Sequence, residues 1–140
     1  MPGIDISKIR NVALLSHGGS GKTSLAEALL FSTKAITRMG TVENGNTVSD
    51  YEPEEIKRVS STQTSLITCM TNGCKINLLD TPGYEDFRGE VVSALRVTEG
   101  AIILVSAVAS VEVGTEQSWA MCEERNIPRI LFINKIDREN

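Results

Sequence analysis

A glycine-rich loop between an apolar run and a helix-like segment constrains this sequence more than any other feature. Residues 11–16 form a short apolar run that predicts a buried strand, and residues 22–31 carry Leu and Ala at helical spacing. The loop between them, SHGGSGKT, fits the phosphate-loop pattern except that Ser16 replaces the first Gly. Glycines let backbone N–H groups turn towards phosphates, and the following helix N-terminus adds partial positive charge. We therefore predict a phosphate-binding loop; the alternative is a glycine-rich turn that only starts a helix.

Two side chains of this loop have specific predicted roles. Lys22 would reach the β- and γ-phosphates of a nucleotide, and the Thr23 hydroxyl would ligate Mg²⁺. His17 is the only histidine of the sequence, and we expect it to pack or cap near the phosphates rather than act as a base. The predicted phosphate-binding set is Ser16, His17, Gly18, Gly19, Ser20, Gly21, Lys22, Thr23 and Ser24.

A second polar motif follows the strand predicted over residues 75–79. Asp80 can hold Mg²⁺ through water, and Gly83 lets its N–H approach a γ-phosphate. Asp-Thr-Pro-Gly is also a good turn. Its position, 57 residues after Thr23 and directly after a strand, is what favours a nucleotide-binding motif over a simple turn. The residues of this motif predicted to contact nucleotide are Asp80, Thr81, Pro82, Gly83 and Tyr84.

A third motif ends the last predicted strand, 129–134. A carboxylate at Asp137 could accept hydrogen bonds from N1 and the exocyclic N2 of guanine, whereas adenine lacks that pair of donors. The alternative for this motif taken alone is a solvated polar loop. The predicted base-binding residues are Asn134, Lys135, Ile136 and Asp137.

Strands alternate with helices along the rest of the chain. The pair Asn72-Gly73 between the apolar runs 66–71 and 74–79 predicts a hairpin, in which Cys69 and Cys74 lie diagonally on one face. A helical stripe over 87–95 closed by Gly100, a strand over 101–106 and a helix over 115–125 follow. This order predicts an α/β fold of the P-loop type. Its sheet is mostly parallel, with helices on both faces and one antiparallel edge strand.

Composition excludes several functional classes. The net charge of -4 argues against direct DNA binding by a basic surface of this domain, because phosphate contacts need clustered Lys and Arg. No apolar run reaches the roughly 18 residues of a membrane span, so no membrane partner is expected. Residues 1–10 lack the pattern of a secretory signal, and three cysteines predict reduced thiols. We therefore expect a cytoplasmic protein.

Taken in order, the three motifs resemble those of the translational GTPases. Residues 79–83 followed by Asp86-Phe87, then residues 107–112 and Pro128-Arg129, are similar to elongation factor G and the ribosomal-protection tetracycline-resistance proteins. The resemblance implies a P-loop GTPase domain over residues 1–140 that is incomplete at its C-terminus. It also implies GTP and GDP as ligands, Mg²⁺ as cofactor and the ribosome as partner of the complete protein. The alternative to a GTPase switch is a nucleotide-gated binding module with little hydrolysis.

Several residues depart from the family pattern. In the phosphate loop, the family carries Asp where Gly19 stands. In the effector region, the family sequence Arg-Gly-Ile-Thr corresponds to residues 58–61, so Ser61 replaces the Thr that closes on Mg²⁺ when GTP is bound. The neighbouring Thr62 is a second candidate for that role. Tyr84 replaces the His that orients the attacking water in the family. Together these departures resemble a divergent, elongation factor G-like branch. The resemblance therefore supports GTP binding more strongly than it supports a role in translocation. The implied catalytic residues are Lys22, Ser61, Gly83 and Tyr84, and the implied metal ligands are Thr23, Ser61 and Asp80.

The long segment 33–65 has no clean period, and such a segment in a compact domain is more often functional than idle. Its acidic run, residues 50–55, is most simply a solvated stretch. The alternative is a mobile switch loop whose charge keeps it detached from a ribosomal surface when GTP is absent.

Overall fold

The computed structural model describes residues 5–138. Regular elements alternate along the chain much as the sequence pattern predicts. They are β1 (Ile9–Leu15), α1 (Lys22–Ser32), α2 (Pro53–Arg58), β2 (Ser65–Thr71), β3 (Cys74–Asp80), α3 (Arg88–Leu95), β4 (Gly100–Ser106), α4 (Val113–Glu124) and β5 (Arg129–Asn134). No helix in this part of the chain has the length and apolarity that crossing a membrane requires.

The strands form one sheet in the order β2-β3-β1-β4-β5. All neighbours are parallel except the edge strand β2, which pairs antiparallel with β3. The hairpin closes at Asn72 and Gly73, whose φ angles of 49° and 74° suit the predicted two-residue turn. Cys69 pairs with Ile76 and is therefore diagonal to Cys74, as predicted, and all three cysteines are free thiols. The predicted fold class is confirmed.

Apolar side chains pack on both faces of the sheet because successive residues of a strand point in opposite directions. In β1, Leu14 lies on one face, while Ala13 and Leu15 lie on the other. The first face carries α1, and its core consists of Leu14, Ala26, Leu30, Ile67, Cys69 and Leu78. The second carries α3 and α4, and its core consists of Ala13, Leu15, Val91, Leu95, Ala101, Ile103, Met121, Cys122 and Ile127.

The sequence pattern predicted that Gly100 closes α3, and this prediction is wrong. The helix ends at Leu95, and Gly100 is the first residue of β4. The reason is that the backbone on both sides of this glycine is already bonded within the sheet region: the N–H of Glu99 donates to Asn11 O (2.9 Å) and that of Ala101 to Pro128 O (2.9 Å). At the other predicted helix end, α4 stops at Glu124, and Asn126, one residue beyond the C-cap Arg125, adopts a φ of 53°, as expected for a helix stop.

The interpretation of residues 50–55 as a solvated stretch is wrong for Asp50 and Glu55, although Tyr51 and Glu54 are exposed. Asp50 is only 3% exposed and Glu55 only 2%. Pro53 stands in the first turn of α2, and Glu52 and Glu55 form a capping box at its start. The Glu55 carboxylate then accepts the N–H of Thr62 at 2.9 Å. Glu55 is buried because its carboxylate satisfies backbone donors of the same segment, whereas buried Asp50 accepts the Ser61 hydroxyl.

A buried carboxylate on α1 fixes the first half of the 33–65 segment. Glu27 accepts the N–H of Gly40 through one carboxylate oxygen at 2.8 Å and the N–H of Val48 through the other at 2.5 Å. Unpaired buried N–H groups are costly, so one carboxylate that satisfies two of them holds the loop against the helix. The loop held in this way leads into Asp50, which lies near the first turn of α1.

Candidate nucleotide-binding site

The predicted motifs meet at one edge of the sheet. The glycine-rich loop follows β1, the Asp-Thr-Pro-Gly turn follows β3, and the Asn-Lys-Ile-Asp motif follows β5. Ligands of α/β sheets bind outside the carboxyl ends of parallel strands, which is the end where these motifs lie. A cavity of about 230 Å³ opens there, and its wall includes Gly18, Lys22, Thr23, Ser24, Asp50, Ser61, Gly83, Tyr84, Lys135 and Arg138.

The Lys22 ammonium lies inside the glycine-rich loop. The residue is 6% exposed, and its Nζ donates to Ser16 Oγ at 2.9 Å and to His17 O at 3.4 Å. No carboxylate of residues 5–138 lies within 4 Å of this nitrogen. Burial lowers the pKa of Lys22 to about 8, against the opposing pull of Asp80 and Asp50. A buried cation without an ion-pair partner is a site for an anion. Ser16, the departure from the loop pattern, supplies an acceptor for this cation.

Hydrogen bonds attach the predicted base-binding motif to the phosphate loop. Asn134 Nδ2 donates to Ser20 O at 2.9 Å, and Lys135 Nζ donates to Gly19 O at 2.6 Å. Gly21 has a φ of 97°, and a Cβ at this position would lie 2.4 Å from Asn134 Nδ2. The glycine is therefore required both by the backbone conformation and by the close approach of Asn134.

A cluster of hydroxyl and carboxylate oxygens lies at the first turn of α1. Thr23 Oγ1 donates to Asp80 Oδ2 at 2.8 Å and lies 3.3 Å from Ser61 Oγ. Ser61 Oγ in turn donates to Asp50 Oδ1 at 2.7 Å. The other carboxylate oxygens, Asp80 Oδ1 and Asp50 Oδ2, are buried and accept no hydrogen bond from the described residues. Two orphaned carboxylate oxygens beside two hydroxyls form a place for a hard cation.

Burial controls the ionisation of both acids in this cluster. It raises the pKa of Asp80 to about 6, although Lys22 and the Thr23 hydrogen bond oppose the rise. It also raises the pKa of Asp50, against the bond from Ser61. No group of three or more His, Cys, Asp or Glu within residues 5–138 has the geometry of a metal centre. A cation here would therefore use hydroxyl, water and phosphate oxygens besides the acids, and the residues present fit Mg²⁺.

Asp50 is the site residue that sequence reasoning missed. Nothing in the run SDYEPEE marks one acid as buried, and the family pattern quoted above begins only at residue 58. Ser61 was identified from that pattern, and it lies at Thr23, whereas the hydroxyl of Thr62 faces Glu55 instead. Val59 supports the same alignment: its φ of 56° is a left-handed conformation, and the family carries Gly at this position.

The turn after β3 is braced by two side chains that do not face the cavity. Thr81 is fully buried, and its hydroxyl donates to Leu14 O at 2.6 Å, while the Pro82 side chain is buried beside it. A Cβ at Gly83 would lie 2.4 Å from Lys22 Nζ and 2.8 Å from Gly18 N. The turn thus approaches the phosphate loop so closely that only glycine fits at this position.

Besides Thr81 and Pro82, the predicted residues outside the cavity wall include His17, Ile136 and Asp137. The His17 imidazole lies 3.6 Å from a carboxylate oxygen of Glu112 and packs at the start of α4, away from the cavity. Ile136 and Asp137 are exposed in the turn after β5 and do not contribute to the cavity wall. The structure therefore brings together residues predicted to bind phosphate and Mg²⁺, and leaves Asp137, the carboxylate predicted to contact guanine, exposed beside them.

Comparison with known proteins identifies the family. Residues 7–140 match the family model of the elongation factor Tu GTP binding domain. The chain belongs to this family of GTP-binding domains. Its resemblance to the translational GTPases, inferred above from the motifs, is confirmed.

The relatives of this GTP-binding domain include a ribosome-releasing factor and an elongation factor. The chain is 42% identical over 135 residues to the mitochondrial ribosome-releasing factor 2 of Candida dubliniensis, covering 96% of this chain and 17% of that protein. It is 41% identical over 135 residues to elongation factor G of Thermotoga petrophila, with coverages of 96% and 19%. A crystal structure of a Thermus thermophilus protein shares 43% identity at a TM-score of 0.92, with coverages of 96% and 20%. The chain spans about a fifth of the length of these proteins.

Proposed function

We propose that this domain binds GTP and GDP with Mg²⁺ and hydrolyses GTP, and that it thereby switches a ribosome-associated factor of the elongation factor G type. The proposal includes a cytoplasmic location and a longer protein in which residues 1–140 are part of the GTP-binding domain. The observation that carries it is the buried Lys22 ammonium, which has no carboxylate partner within 4 Å among the described residues and opens on the same cavity as Thr23.

Each element of the site has a distinct task in this proposal. Lys22 and the backbone N–H groups of the loop hold the β- and γ-phosphates. Asp137 accepts the two N–H donors of guanine once the base is bound beside Asn134 and Lys135. When present, Mg²⁺ neutralises phosphate charge; Thr23 and Ser61 would hold it, with the carboxylates of Asp80 and Asp50 close by.

The switch follows from where these residues sit. Ser61 and Asp50 belong to the 33–65 segment, whereas Gly83 and Tyr84 belong to the turn after β3. A γ-phosphate would be contacted by both segments at once, and its loss on hydrolysis would remove that shared contact. Ordered and released states of two segments are the means by which such a domain would signal to the rest of its protein.

One observation favours the second candidate, a nucleotide-gated binding module. Tyr84 is 50% exposed, and its hydroxyl makes no hydrogen bond within the described residues. A neutral tyrosine hydroxyl is also a weak proton acceptor. The free domain is therefore expected to hydrolyse GTP very slowly, and docking on a ribosome would have to fix the ring.

Single-turnover hydrolysis separates the two candidates. The complete protein and its Tyr84→Phe variant are compared with and without ribosomes. The GTPase switch predicts strong stimulation of the wild type, and loss of most of that stimulation in Tyr84→Phe with nearly the same GTP affinity. Equal stimulated rates would exclude the hydroxyl from positioning water. A wild type that ribosomes do not stimulate would favour the gated module.

A further inference from the structure

Tyr84 and Gly18 meet where the turn after β3 closes on the phosphate loop. A Cβ built on Gly18 would lie 2.9 Å from Cζ, 3.0 Å from Cε1 and 3.2 Å from Cε2 of Tyr84. These nearly equal distances place that Cβ over the face of the ring, at its hydroxyl end. Carbon atoms in contact are ordinarily about 3.5–4.0 Å apart. The ring therefore occupies the space that any side chain at position 18 would need.

Conformation alone does not explain the glycine at position 18. Gly19 and Gly21 have φ angles of 78° and 97°, which favour glycine, whereas the φ of Gly18 lies outside the left-handed region. The φ of Gly18 therefore does not call for glycine, whereas a methyl group at this position would conflict with a neighbour. That neighbour is the far end of the Tyr84 side chain.

The contact lies beside Lys22, where the proposed function places the γ-phosphate. Gly83, the residue before Tyr84, approaches both Lys22 Nζ and the N–H of Gly18 so closely that a Cβ would clash with them. The hydroxyl of Tyr84 has no hydrogen bond among the described residues that would fix it, whereas the hydroxyl end of its ring packs on Gly18.

We propose that Gly18 is a positioning residue for Tyr84. Because Gly18 has no side chain, the ring of Tyr84 can lie against its backbone. This packing sets where the hydroxyl lies relative to a water that attacks the γ-phosphate. This inference rests on the proposed GTPase function, because it assigns Gly18 a task in the same reaction. The residue at position 18 then determines which side chain at position 84 can position the attacking water.

The contact itself can be tested without turnover. In the nucleotide-free chain, NMR should detect a nuclear Overhauser effect between the α protons of Gly18 and the ε protons of Tyr84. Gly18→Ala should move the ring signals of Tyr84 towards those of Tyr51, an exposed tyrosine that serves as internal reference. Gly89→Ala is the matched control, since a Cβ there meets nothing within 4 Å, and it should leave the Tyr84 signals unchanged. An absent Overhauser effect would overturn the inference.

A double-mutant cycle tests the positioning role. Ribosome-stimulated single-turnover hydrolysis is measured for the complete protein, Gly18→Ala, Tyr84→Ala and the double variant. We expect each single substitution to lower the rate at least tenfold and the double variant to be no slower than Tyr84→Ala. In the Tyr84→His background, which lacks the Cζ end of the ring, Gly18→Ala should lower the rate less than in wild type. Gly89→Ala should match wild type.

Other outcomes of the cycle refute the inference in distinguishable ways. Additive losses would mean that Gly18 acts independently of Tyr84. An unchanged rate in Tyr84→Ala would refute the positioning role, because Tyr84 would have no part in hydrolysis, while the GTPase function would stand. A wild type that ribosomes do not stimulate would refute the GTPase function and the positioning role together. Failure of the wild type to bind GTP would instead refute the proposed function, and with it the positioning role.

Discussion

Replacing Lys22 by Met tests the role of this buried cation, which has no carboxylate partner within 4 Å among residues 5–138. Burial lowers the pKa of Lys22 from 10.5 to about 8, which corresponds to about 3 kcal/mol spent at neutral pH to keep the amine charged. Met removes that cost but also two hydrogen bonds of about 1 kcal/mol each. In the absence of nucleotide, the free energy of unfolding of the variant should therefore be about 1 kcal/mol higher than that of wild type.

The pH dependence gives this prediction its sign. The folded-state pKa of Lys22 lies below the unfolded value, so between these two values the unfolded chain binds more protons and the free energy of unfolding rises with pH. From about pH 7 to about pH 9.5 the contribution of Lys22 rises by about 2 kcal/mol. The advantage of Lys22→Met over wild type should shrink by that amount and become a disadvantage.

Urea denaturation of the nucleotide-free chain at both pH values measures this difference. Lys8→Met, at an exposed lysine, is the control and should show no such change with pH. A Lys22→Met variant that is less stable at both pH values by the same amount would refute the reasoning. In parallel, Lys22→Met should weaken GDP binding at least tenfold, because a charge-assisted contact of about 1.5–3 kcal/mol is lost.

Three further substitutions test other parts of the site. Asp137→Asn should raise the preference for xanthosine over guanosine nucleotides by orders of magnitude, because the C2 carbonyl of xanthine can accept from the new amide; an unchanged ratio in competition titrations would place the base elsewhere. Asp50→Asn should raise several-fold the Mg²⁺ concentration that half-maximal GTP binding requires, since it removes one carboxylate beside Thr23 and Ser61; an unchanged Mg²⁺ titration would exclude Asp50 from the cation site. Val59→Gly should raise the free energy of unfolding by about 1 kcal/mol in urea titrations, because it releases a β-branched residue from a left-handed conformation; a less stable variant would contradict this.

The features that the sequence predicted well are those encoded by neighbouring residues. Asn72-Gly73 specifies its turn through the φ angles that both residues tolerate, and the glycine-rich loop specifies a strand–loop–helix unit by itself. Because parallel strands bring their carboxyl ends to one edge, motifs that follow β1 and β3 had to lie together once the strands were identified.

The features that it missed depend on contacts between distant segments. Asp50 and Glu55 look solvated in a run of acids, and only the folded chain brings Ser61 and the N–H of Thr62 to them. Gly18 and Tyr84 belong to different motifs, and no pattern within either one shows that the ring needs an absent side chain. Gly100 was assigned to a helix end, but strand pairing on both sides of it determined the outcome.

The central claim is that this cavity binds a guanine nucleotide together with Mg²⁺. Titration of GTP, GDP and ATP against the chain, each with Mg²⁺ and with EDTA, tests it most directly. The account predicts saturable binding of GTP and GDP, a clear loss of GTP affinity in EDTA, and no comparable binding of ATP. Equal affinity for ATP would contradict the base assignment, and absence of binding by all three nucleotides would contradict the assignment of the Lys22 loop to phosphate.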